Sequence, residues 1–325
     1  MQLILDSIRE DQPGPKWQAL FETYWPLYKT WFLSEGATAR PGYVTSLKKL
    51  RQHMPEIVPI YQQLTDLAGG GDLAARFLSL YCPPAYLTGC SQAVWSGDEP
   101  ILVRNYDYGP QLFEGNLLYT RWLRPVIAMS DCLWGVLDGI NDAGLAVSLA
   151  FGGRKVAGAG FGIPLVLRYI LETCESIQAA TEILQRIPIH MPYNVTVVDK
   201  QGQIITAYLA PGHEPIINND SVCTNHQQQV DWHAYARLTS TVERKASLEQ
   251  KLANSRETGQ KFVRHFLHPP LYNTQYEKAF GTLYTAAYYP SRLEATYRWP
   301  KRPPLKQSFA RFKEGQTVVN LVDEE

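Results

Sequence analysis

The hydrophobic pattern changes period at Gly89-Cys90, and that switch limits what the chain can become. Upstream, Trp17, Leu20, Phe21, Tyr24 and Trp25 recur at three- and four-residue steps, the spacing of one helix face. Further helices are expected at about 44–66 and 72–81, with Asp72 as an N-cap after Gly69-Gly70-Gly71. Pro83-Pro84 ends this helical region. Downstream the pattern becomes period two. Ser91–Trp95 and Ile101–Tyr106 read as strands joined by the turn Ser96-Gly97-Asp98-Glu99-Pro100.

More strands are expected at about 117–123, 125–130, 133–140, 144–151, 193–199, 203–210, 221–225, 282–289, 294–299 and 317–322. Helices are expected at Ile163–Cys174, at Ile177–Ile187 with Ser176 as N-cap, and at about 238–252 and 258–267. Strands and helices in alternating blocks predict an α+β chain with layered sheets and helices outside. We read residues 1–89 as a helical N-terminal segment packed on a core of 90–325, together one domain.

The chain has 325 residues, 45% apolar and 19% charged, with 31 basic and 31 acidic residues. This balance argues against nucleic acid as a partner. Its five cysteines are an odd number with no C-x-x-C spacing, which disfavours a disulfide framework or a zinc site. A reducing compartment follows. With no signal peptide and no long uncharged apolar window, we expect a cytoplasmic protein with no membrane span. No cofactor and no metal are expected. His265 and His268 lack the H-E-x-x-H context of a metal site and read as surface or core histidines. The glycine-rich stretch Gly152–Gly162 lacks a P-loop lysine and reads as a flexible loop, a candidate lid.

Cys90 is the candidate nucleophile. Most free cysteines are small buried hydrophobes. This one follows a glycine that allows close approach to the preceding peptide. Its thiol is positioned in sequence to attack the Gly89 carbonyl and cut the chain there. The new N-terminal cysteine then carries nucleophile and base on one Cα, because an α-amine titrates at about 7.7–8. Arg104 ends an apolar run and is expected to lower the thiol pKa. Asp107 is expected to hold the amine. The structural alternative for both is a surface ion pair worth about 0–1 kcal/mol. Trp95, Tyr106, Tyr108, Trp134 and Phe151 are candidates for an apolar pocket wall.

Gly89-Cys90, Arg104-Asn105-Tyr106-Asp107, Asp138-Gly139-Ile140-Asn141-Asp142-Ala143-Gly144-Leu145 and Cys223-Thr224-Asn225-His226, in that order, resemble the N-terminal nucleophile (Ntn) hydrolases of the acyl-coenzyme A:6-aminopenicillanic acid acyltransferase type, peptidase family C45. More distantly, they are similar to choloylglycine hydrolase and penicillin V acylase. The resemblance runs from about residue 60 onward. It implies a four-layer αββα fold, self-cleavage before Cys90, and hydrolysis or transfer of a small linear amide through a thioester. It implies Cys90 as nucleophile, Arg104 beside the thiol, Asp107 on the amine and Asn225 as an oxyanion donor. Relatives carry a late active-site arginine, for which Arg244 is the nearest match. Where bile-salt hydrolases have an asparagine, this chain has Ala150-Phe151. The implied partners are a small amide, an acyl donor such as acyl-CoA, and the chain's own N-terminal fragment. Two alternatives are kept: a papain-like pair of Cys90 and His226, although Cys-Gly-Ser-Cys-Trp is absent, and an unprocessed relative that only binds a small molecule.

Overall fold

In the computed structural model, residues 1–278 and 280–321 are described. The first element is a strand that the sequence reading left unassigned. In β1 (Gln2–Arg9), Leu3, Leu5 and Ser7 are buried while Ile4 is exposed, the alternation of a half-buried strand. Four helices follow: α1 (Pro15–Phe32), α2 (Tyr43–His53), α3 (Val58–Leu67) and α4 (Asp72–Leu78). The helix expected over about 44–66 is divided by a short 3₁₀ turn at Pro55–Ile57, because Pro55 has no N–H to continue the ladder. Asp72 sits one position inside α4; Gly71 takes the cap position without a side-chain bond.

Strands β2 (Gly89–Ser96) and β3 (Pro100–Tyr108) form the expected hairpin. Then come β4 (Asn116–Arg121), β5 (Pro125–Asp131), β6 (Gly135–Asn141) and β7 (Ala146–Phe151). The helix pair is α5 (Ile163–Thr173) and α6 (Ile177–Arg186), and the Ser176 side chain caps α6 by accepting from the Ala179 N–H at 3.3 Å. Next are β8 (Tyr193–Val198), β9 (Ile204–Leu209), β10 (Ile216–Asn218) and β11 (Val222–Cys223). The polar helix expected over about 238–252 is α8 (Thr241–Leu252), and an unexpected short helix, α7 (His233–Leu238), precedes it, the two separated where Ser240 adopts φ 47°. After α9 (Gly259–His265), the chain ends in β12 (Gly281–Tyr289), β13 (Glu294–Arg298), β14 (Leu305–Ser308) and β15 (Gly315–Asn320). Val322, the end of an expected strand, lies outside the described residues.

Two sheets result. The larger runs β10-β9-β8-β7-β6-β5-β4-β1-β15, and the smaller runs β11-β2-β3-β12-β13-β14. β1 pairs parallel with β4 and antiparallel with β15, so the N-terminal segment contributes a strand inside the core sheet as well as helices.

The alternation in β3 explains the layering. Leu102 and Tyr106 face the large core between the sheets, while Ile101 and Val103 face a second core made with Leu248 of α8 and Phe262 and Val263 of α9. On the far side of the larger sheet, α5 is buried along its whole length over β6. Helices, sheet, sheet, helices: the fold is a four-layer αββα sandwich. The 3₁₀ turn before α3 reaches the outer helical layer, where the Tyr169 hydroxyl of α5 donates to Glu56 at 2.5 Å. Among the described residues, no helix is long and apolar enough to cross a membrane.

Candidate active site

Register sets the site. In the β2–β3 hairpin, Cys90 lies opposite Tyr106, Gln92 opposite Arg104, and Gly89 opposite Asp107. Paired residues share a face and neighbours alternate. Cys90, Arg104 and Tyr106 therefore point between the sheets, and Asp107 points toward the helical layer behind.

Arg104 is fully buried, and each guanidinium nitrogen is engaged. Nε donates to the Leu149 carbonyl at 2.9 Å, and Nη1 to Asp138 and to the Tyr284 hydroxyl, the latter at 3.0 Å. Nη2 donates to Cys90 Sγ at 3.2 Å. The guanidinium carbon lies 4.7 Å from the Tyr106 ring centre, a cation–π contact. Asp138 supplies the compensating charge and also accepts from the Tyr284 hydroxyl at 2.6 Å and from Tyr288. A buried arginine needs such a partner, because an unpaired charge there is strongly destabilising.

The expected lowering of the thiol pKa is corrected. Burial pushes the Cys90 thiol above its ordinary value, and the Arg104 guanidinium opposes this without overcoming it. In the uncut chain the sulfur is sealed, with Thr88 Oγ1 3.8 Å away.

Asn225 takes a different place from the one expected of a pure oxyanion donor. Its Oδ1 accepts from the Cys90 N–H at 2.9 Å and from Arg244 Nη2 at 2.8 Å. Its Nδ2 donates to the Phe151 carbonyl at 3.1 Å and to the Thr88 carbonyl at 3.3 Å. The Tyr235 hydroxyl donates to that same Thr88 carbonyl at 2.5 Å. Two side-chain donors thus converge on a backbone oxygen two residues before Cys90.

Arg244, the nearest sequence match for the late arginine, lies in the site. Nη1 donates to the Cys90 carbonyl at 2.6 Å and to Ser91 Oγ at 2.7 Å, and Nε to the Thr239 carbonyl at 2.7 Å. Asp107 lies 3.8 Å from Arg244 and accepts from Thr282 Oγ1 at 2.6 Å. Its carboxyl is raised by burial, opposed by the Arg244 charge. In the uncut chain Asn225, and not Asp107, is the side chain that accepts from the Cys90 nitrogen.

Gly89 is required by space. A Cβ there would stand 2.2 Å from the Phe280 ring and 3.0 Å from the Asp107 Cβ. The Cys90–His226 pair does not form. The His226 ring bonds Thr241 Oγ1 at 2.9 Å, and burial lowers its pKa to about 4, so its bonding is structural. His265 pairs with Glu257 at 3.0 Å.

The glycine-rich stretch is anchored at its two ends, with Gly152 N–H donating to the Pro192 carbonyl at 2.9 Å, while Lys155, Val156 and Ala157 between them are exposed. Gly158 N–H donates to the His190 carbonyl at 2.9 Å, Phe161 N–H to Pro188 at 2.8 Å and Gly162 N–H to Leu80 at 2.7 Å. Of the five aromatic candidates, Tyr106 and Phe151 touch site residues and Tyr108 stacks beside Tyr106 at 5.6 Å. Trp95 packs on Phe262 in the second core, and Trp134 donates to the Leu78 carbonyl at 2.9 Å. Sequence reasoning missed Asp138 and Tyr235 as site residues. Asp138 stood in a quoted motif without a role, and Tyr235 carried no local signal.

The sequence profile of the acyl-coenzyme A:6-aminopenicillanic acid acyl-transferase family matches residues 95–303, more than half of the chain, starting just after Cys90. A search of curated proteins found no match. Among solved structures, a penicillin V acylase from Agrobacterium tumefaciens is similar at 15% identity, covering 68% of this chain and 87% of that one, with a TM-score of 0.47. A Caenorhabditis elegans N-acylethanolamine-hydrolyzing acid amidase ortholog is similar at 16% identity, covering 72% and 100%, with a TM-score of 0.48. A conjugated bile acid hydrolase from Clostridium perfringens is similar at 12% identity, covering 71% and 96%, with a TM-score of 0.45.

Proposed function

This chain belongs to the acyl-coenzyme A:6-aminopenicillanic acid acyl-transferase family, and from that premise we propose that it is a cysteine N-terminal-nucleophile amidohydrolase or acyltransferase that matures by cutting itself between Gly89 and Cys90. The observation that carries this reading is the pair of contacts on one residue. Cys90 Sγ lies 3.2 Å from the Arg104 guanidinium, and the Cys90 nitrogen lies 2.9 Å from Asn225 Oδ1.

In maturation, Cys90 Sγ attacks the Gly89 carbonyl carbon. A C–S bond forms, the Gly89–Cys90 C–N bond breaks, and the thiol proton passes to the departing nitrogen. Water hydrolyses the thioester and releases Gly89 as a carboxylate, leaving Cys90 with a free amine and thiol. Departure of Gly89 opens space beside Asp107, the residue opposite it in the register. The amine then has Asn225 Oδ1 and Asp107 as acceptors. The fragment 1–89 stays attached, because β1 remains paired on both sides within the larger sheet.

In turnover, the α-amine takes the thiol proton and Sγ attacks the substrate carbonyl. The amine leaving group receives that proton, and a thioester remains on Cys90. Water resolves it in hydrolysis; a second amine, or a thiol such as that of coenzyme A, resolves it in transfer. Removal of the Thr88 carbonyl releases Tyr235 and Asn225 Nδ2 toward the substrate oxyanion, where one donor is worth about 10²–10³ in rate. Arg244 positions Asn225 and the Cys90 carbonyl. The cysteines are free, consistent with action in a reducing compartment.

A panel of small amides tests the reading. The expected result is an acyl adduct on the peptide beginning at Cys90 and no turnover in Cys90→Ala. Full activity in Cys90→Ala would overturn it.

A further inference from the structure

A cavity lies beyond the Tyr106 ring, and its chemistry is unlike that of Cys90's surroundings. It has a volume of about 140 Å³. Trp31, Tyr86, Tyr108 and Phe113 line it together with two carboxylates, Glu114 and Asp131. Its rings form two clusters: Trp31 meets Tyr86 edge-on at 6.0 Å, and Tyr108 and Phe113 each contact Tyr106, at 5.6 and 5.9 Å. Tyr106 is also the ring over which the Arg104 guanidinium sits. The cavity therefore lies one aromatic ring away from the guanidinium that contacts Cys90.

Its two carboxylates lack a cation. Glu114 is buried and accepts from the Leu133 N–H at 2.8 Å and from the Tyr28 hydroxyl. Asp131 accepts from Cys132, from its thiol at 3.7 Å and from its backbone N–H. Among the described residues neither forms an ion pair, and Arg104 acts on Asp131 only at longer range. The Tyr86 hydroxyl is also buried, beside Tyr193. Two adjacent carboxylates without a counter-charge are costly to keep in a protein interior. Both are raised, Asp131 to about 7, mainly through burial. Aromatic faces together with carboxylates form the environment that recognises an organic ammonium: rings take the cation on their faces, and carboxylates pair with its charge.

We propose that this cavity binds a protonated amine carried on an apolar or aromatic body, so that the amide substrate is a cationic one. The cavity stands on its own geometry; its service to the substrate rests on the function proposed above. A neutral acyl chain would fill the aromatic walls and leave Asp131 and Glu114 without a counter-charge.

Calorimetric titration of the full chain with 2-phenylethylamine and with 2-phenylethanol tests this at neutral pH. The two probes match in shape and differ in charge. The expected result is binding of the amine at least tenfold tighter than the alcohol, with that preference lost in Asp131→Asn and kept in Cys90→Ala. Equal affinity of the two probes in the wild type, which needs no variant to fold, would overturn the proposal. So would an undiminished preference in Asp131→Asn. Amine preference in a protein that turns over no amide sinks the catalytic reading and leaves the cavity standing; amide turnover without amine preference does the reverse.

Discussion

The Arg104 guanidinium stands 3.2 Å from Cys90 Sγ, on the face that the β2–β3 hairpin turns toward the larger sheet. Its charge is compensated from that opposite sheet by Asp138 of β6. The electrostatics around Cys90 therefore depend on the two sheets being docked. Folding of the sandwich assembles the site, and no local motif does so alone.

Asp138→Asn removes the compensating charge and leaves the buried guanidinium unpaired. We expect a stability loss of about 3–5 kcal/mol, the cost of breaking a buried pair from one side. Denaturant unfolding measures it. Retained Tyr284 and Tyr288 hydroxyls keep part of the geometry, so folded protein should still be recovered at low temperature, with slowed maturation. An unchanged midpoint would show that Arg104 does not need Asp138.

Tyr235→Phe tests the second oxyanion donor. The ring keeps its 5.0 Å stack on Trp232 and loses only the hydroxyl that bonds the Thr88 carbonyl. In the mature enzyme, kcat should fall by about 10²-fold with KM little changed, because the lost donor acts on charge that develops in the transition state. An unchanged kcat would remove Tyr235 from the chemistry.

Gly89→Ala places a methyl group against Phe280 and the Asp107 Cβ. The peptide to be cut must shift, and maturation should slow by at least tenfold on a time-course gel. Cleavage at the wild-type rate would mean that Phe280 yields freely.

Much of this was readable from the residues. The period switch at Gly89-Cys90 placed the hairpin, and its alternation put Arg104 and Tyr106 on one face. Asn225, in a quoted motif, and Arg244, the nearest sequence match to the late arginine, both bond Cys90 backbone atoms. Other features were hidden because they depend on contacts distant in sequence. β1 pairs with β4 and β15, far along the chain, so its place inside the core sheet is not a local feature. Tyr235 reaches Thr88 across 147 positions. The direction of the Cys90 shift is set by how deeply the sulfur is sealed, and a neighbouring arginine in the sequence does not reveal that. α7 is parted from α8 by the left-handed backbone of Ser240, which the polar pattern of that stretch does not announce.

Asp131 gives the fold a pH dependence. Its folded pKa of about 7 lies above its ordinary value of 3.8. Between those limits the folded chain holds a proton that the unfolded chain has released, so the stability falls as pH rises through that window and levels off above it. Glu114, raised in the same way, adds to the slope. In Asp131→Asn the fall should be smaller, so that the variant gains on the wild type as pH rises from about 4 to about 7. Melting curves of the two proteins that run parallel across that range would show that Asp131 is not held protonated.

Intact-mass measurement of freshly expressed protein, wild type beside Cys90→Ala, tests the central claim most directly. The account predicts that the wild type resolves under denaturing conditions into one fragment ending at Gly89 and another beginning at Cys90, while the variant stays at full length. A wild type that remains a single uncut chain while turning over amides would contradict it.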